Sequence, residues 1–88
     1  MIDLVTMARH RREALREELG IDMATLQSGV VHGSMRVDCG PAGDFVAISS
    51  GETEKQSLKE LAANLDVLAV RVAEARAVVR RHIEEEYP

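Results

Sequence analysis

The chain has 88 residues, one cysteine and a net charge of −4, from 11 Lys and Arg against 15 Asp and Glu. That length allows one small domain with a modest core, the kind that often draws stability from a partner, a metal or disulfides. A single cysteine excludes a disulfide within the chain, and the acidic total disfavours a broad basic surface for nucleic acid.

No run of about eighteen apolar residues is present, so no transmembrane helix is expected. Met1-Ile2-Asp3 lacks the basic-then-apolar layout of a secretory signal. These readings, with the unpaired Cys39, place the protein in the cytoplasm. Phe45 and Tyr87 are the only aromatic residues, so Leu, Val, Ala and Met must build the core. Residues 1–88 read as a single α+β domain.

The first predicted element is a helix over about residues 3–19. Asp3 caps it, Leu4, Met7, Ala8, Leu15 and Leu19 recur at helical spacing, and Gly20 stops it. Its middle, "ARHRREALREE", holds the densest basic cluster: Arg9, Arg11, Arg12 and Arg16. These four are the candidates for contact with nucleic-acid phosphates. A solvated helix face balanced by Glu13, Glu17 and Glu18 accounts for the cluster as well.

Strands are expected within about residues 25–50. Val30 and Val31 suggest a first strand near residues 25–31, with Gly33 suited to a bulge or turn. "SMRVDCGPAGDFVAIS", residues 34–49, then reads as a β-hairpin around a Gly-Pro-Ala-Gly turn. Met35, Val37 and Cys39 share one face and Ser34, Arg36 and Asp38 the other. On the return strand Phe45 and Ala47 alternate with Val46 and Ile48. That strand is apolar on both sides, as central or interface strands are.

Thr53 with Gln56 three residues on is a capping-box pattern, and a helix follows over about residues 53–86, about 50 Å at 1.5 Å per residue. Leu58, Leu61, Leu65, Leu68, Val72, Ala75 and Val79 alternate in steps of three and four, a coiled-coil seam of about three heptads. One hairpin and one narrow helix cannot cover so long a face. The expectation is a helix-rich homodimer whose interface uses this seam together with Phe45, Val46 and Ile48. Near the helix end, Arg76, Arg80, Arg81 and His82 suit the C-terminal dipole and are offset by Glu84, Glu85 and Glu86.

No catalytic constellation stands out. His10, His32 and His82 show no metal-ligand spacing with one another or with Cys39, and no metal or other cofactor is implied. Gly40 and Gly43 precede a strand rather than a helix, so they do not make a phosphate-cradling loop. The chain reads as a binding protein and not an enzyme.

"VVHGSMRVDCGPAGDFVAISS" followed by "SLKELAANLDVLAVRVAEARAVV" resembles the YbaB/EbfC family over roughly residues 30–79. The likeness rests on Gly33 before a strand, Val37, the Gly-Pro-x-Gly turn, the returning "FVAI", and the Leu- and Ala-rich helix ending in "VAEAR". The resemblance implies a dimeric nucleoid-associated protein that binds double-stranded DNA, built as helix, short antiparallel sheet and helix. Two departures stand beside it: a shorter first helix, and a longer seam with a Glu-rich end. The same order of elements is similar to that of small head–tail joining proteins of tailed phages and of the small dimerising subunit of the KEOPS complex. Those likenesses imply an assembly role through protein–protein contacts.

Overall fold

The computed structural model describes residues 3–88, of Leu4 only the backbone, so the expected place of the Leu4 side chain on the apolar stripe lies outside what is described. Helix α1 (Leu4–Leu19) is followed by strands β1 (Ile21–Thr25), β2 (Val31–Asp38) and β3 (Asp44–Gly51), then helix α2 (Glu54–Glu86). The strands form one antiparallel sheet in the order β1-β2-β3.

Local chemistry sets the helix ends. The Asp3 carboxylate accepts a hydrogen bond from the Thr6 N–H at 2.7 Å, a contact that holds its pKa below the ordinary aspartate value. Gly20, left-handed at φ 67°, ends α1 and donates to the Arg16 carbonyl. At α2 the Thr53 hydroxyl accepts from the Gln56 N–H, and Gln56 Oε1 accepts from the Glu52 N–H at 2.9 Å. The expected capping box is present, reaching one residue further back than the usual form.

Sheet register sorts the alternating residues. Ile21, Met35 and Ala47 lie side by side on the inner face, as do Met23, Gly33 and Ser49. Ile21, Met23, Val31, Ala47 and Leu61 form the buried core, with Leu15, Met35, Leu58 and Leu65 packed against it. The hairpin turn is a short 3₁₀ segment, Gly40–Ala42, closed by the Cys39 N–H to the Gly43 carbonyl at 3.0 Å.

Two expectations are corrected. The first strand is Ile21–Thr25, and residues 26–30 form the loop between β1 and β2, closed by the Leu26 N–H to the Val30 carbonyl at 2.8 Å. Gly33 makes neither bulge nor turn. It sits buried within β2, where an added Cβ would lie 2.7 Å from Ser49 Oγ and 2.9 Å from Met23 Sδ. Its missing side chain lets α2 approach the sheet, and beside it the Ser49 and Ser57 hydroxyls hydrogen-bond at 2.9 Å.

The sheet is shorter than the helix that crosses it. Eight residues of β3 span about 27 Å, whereas the 33 residues of α2 span about 50 Å. The molecule is therefore elongated, 67 × 23 × 19 Å, with a radius of gyration of 17.8 Å against about 12 Å for a compact chain of this length.

Candidate docking surfaces

The four nominated arginines divide into two pairs. Arg12 Nε lies 2.6 Å from Glu54 Oε1 and its Nη2 donates to Thr25 Oγ1 at 2.8 Å, so it ties α1 to the start of α2 and the end of β1. Arg16 Nε lies 2.9 Å from Asp22 Oδ1. Arg9 and Arg11 are exposed and have no ion-pair partner among the described residues. The basic cluster is thus half occupied by structural pairing, and Glu54 and Asp22 cancel much of its local charge. The Arg12 partner lies forty-two residues away, beyond what helical spacing reveals.

The expected oligomer seam also divides. Leu61 is 2 % exposed, and Leu58 and Leu65 pack on the same core. Leu68 is half-buried beside Phe45. These residues hold α2 to its own sheet. Every residue from 69 to 88 is exposed, including Val72, Val79 and Ile83. A second apolar row, Val67, Val70 and Val78, is exposed on the other side of α2. On the sheet, Phe45 turns toward α2, whereas Val46 and Ile48 are more than half exposed on the outer face.

Two grooves flank α1. One lies against β1, with Val5, Ala8 and Met23 as its apolar wall and Arg9, Arg12, Glu13 and Arg16 along it. The other lies between α1 and α2: Leu15, Leu58 and Ala62 form its floor, and Arg11, Lys55 and Lys59 its rim. The sequence reading missed the second groove. Lys55 and Lys59, one helical turn apart, were the available signal.

The β3 edge is partly closed. Asn64 Nδ2 donates to the Ile48 carbonyl at 2.7 Å, and the Ser50 N–H donates to Glu60 Oε2 at 3.2 Å. Side chains of α2 thereby occupy main-chain groups that would otherwise invite strand addition.

Among the described residues no group of three or more His, Cys, Asp or Glu is placed to hold a metal ion, and Cys39 is exposed. Among the described residues no helix is long and apolar enough to cross a membrane. No protein-family model matches the chain, and neither a curated protein nor a solved structure does.

Proposed function

We propose that the chain is a non-catalytic DNA-binding protein of the nucleoid-associated type that acts as a homodimer. The observation that carries the reading is the bare apolar half of α2. The accessible surface is 7080 Å², roughly 2,000 Å² more than a folded monomer of this mass exposes. A stable interface needs about 800 Å² from each partner, and a second copy is the simplest source of cover.

Duplex DNA as the ligand is supported by the family resemblance and by the order of elements, helix, three-stranded antiparallel sheet and long helix. Arg9 and Arg11 are the side chains assigned to phosphate. A second reading, an assembly subunit acting through protein contacts, is favoured by one specific observation: Arg12 and Arg16 are already paired with Glu54 and Asp22.

Light scattering combined with fluorescence anisotropy on a short duplex separates the two. The DNA reading requires a dimer that binds at low salt and releases steeply as salt rises, because binding frees counterions. Arg9→Ala or Arg11→Ala should then lower the salt slope by about one for each copy whose arginine contacts a phosphate. A dimer indifferent to DNA at low salt overturns that reading in favour of the assembly role.

A further inference from the structure

We propose that residues 69–86 of one copy lie antiparallel along residues 54–68 of the other copy's α2, in the groove between that copy's two helices. The inference rests on the dimer reading above and specifies its geometry.

The first support is a seam that shares the half-buried Leu58 and Leu65 with the row facing the sheet and otherwise runs beside it. Leu58, Ala62, Leu65, Ala69, Val72, Arg76, Val79 and Ile83 recur in alternating steps of four and three, the spacing of a helix-pairing seam. It begins at the floor of the groove, at Leu58 and Ala62, and runs onto the bare half. Laid antiparallel against itself about a twofold axis between Val70 and Arg71, it aligns throughout. Leu58 meets Ile83, Ala62 meets Val79, and Ala69 meets Val72, with an alanine opposite a valine where the helices must approach closely.

Charge supplies the second support. The same register sets Lys55 opposite Glu86, Lys59 opposite His82 with Glu84 two residues further on, and Asp66 beside Arg76, which itself stands opposite Leu65. Arg80 falls near Lys59, with Glu84 one turn further along its own helix to offset it. The groove rim is cationic, from Arg11, Lys55 and Lys59, and its one carboxylate, Glu54, is already held by Arg12 at 2.6 Å. The three consecutive glutamates at the end of α2 carry the complementary charge. A parallel pairing would stack Arg76 on Arg76 and Glu86 on Glu86.

Length agrees as well. The inner stretch spans about 22 Å and the bare stretch about 27 Å, so each covers the other almost completely. The groove, about 570 Å³ in volume, accepts one row of side chains, so the incoming helix lies along it.

Disulfide trapping in a Cys39→Ser background tests the arrangement. Ala62→Cys and Val79→Cys fall at exposed positions of the single chain, and circular dichroism checks that each variant folds. On mild oxidation a mixture of the two should give a cross-linked heterodimer, because a disulfide needs Cα atoms within about 7 Å. Either variant alone should stay unlinked, its two cysteines being about 25 Å apart along the pair. Dimeric mass with cross-links in the single variants, or with none in the mixture, overturns the antiparallel seating and leaves the dimer standing. Monomeric mass for the parent protein in light scattering overturns both.

Discussion

Residues 54–68 and 69–86 of α2 are written in the same apolar spacing and have opposite fates. In the first stretch Leu58, Leu61 and Leu65 pack on the sheet; in the second Val72, Val79 and Ile83 face open space. Nothing in the periodicity separates them. What separates them is the length of β3, which runs out about 23 Å before the helix does. An apolar stripe states that a face will be covered, and the extent of its neighbours decides whether the same chain covers it.

The largest effect on the fold of the single chain should come from the inner stretch. Leu61→Ala removes the most buried large apolar side chain and should cost about 2–5 kcal/mol, much of the stability of a chain this size. Urea titration followed by circular dichroism reads that loss, and a change under about 1 kcal/mol would break the contrast, because Leu61 would then not be core.

Val79→Asp is the matching change in the outer stretch. A buried valine contributes about 1.5–3 kcal/mol, and a twofold dimer loses two of them, so association should weaken roughly a hundredfold or more. The helix and sheet content of the single chain should hold, because Val79 is 57 % exposed there. Unchanged dimeric mass in light scattering would show that the bare stripe is not the interface.

A smaller effect on the single chain is expected at the polar contact on the sheet. Ser57→Ala leaves the Ser49 hydroxyl without its partner at a buried position and should cost about 1–3 kcal/mol. Removing both hydroxyls with Ser49→Ala should recover part of that loss in the same urea titration. A double variant as unstable as the sum of the singles would show that the two do not act as a pair.

What was legible in the sequence follows from sequence distance. Asp3, Gly20 and Thr53 act on groups within four residues, so the helix boundaries could be read directly. β1 could not: "IDMAT" offers only Ile21 and Met23 to the core, and Asp and Ala are poor strand formers. Its strand state comes from pairing with residues 31–35, across the loop. The division of the arginines was hidden for the same reason, since the Arg12–Glu54 contact joins two helices that the sequence leaves far apart. The α1–α2 groove exists only once both helices lie on one face of the sheet.

The smallest change sharpens the contrast from the shared start of the helix. Thr53 accepts the Gln56 N–H, and Thr53→Ala should cost about 1 kcal/mol through the lost cap. The cap belongs to the first turn, which packs closely on Gly51, where an added Cβ would lie 2.7 Å from the Ser57 nitrogen. Its loss should therefore lower the urea midpoint of the single chain. It should leave the dimer dissociation constant, measured well below that midpoint, within a factor of about two, since in the first turn only the exposed Lys55 faces the partner's helix and the apolar seam begins beyond it at Leu58. A dissociation constant that moved tenfold would mean that the two stretches of α2 do not act independently, and that docking the first turn on the sheet sets the direction in which the outer half is presented to its partner.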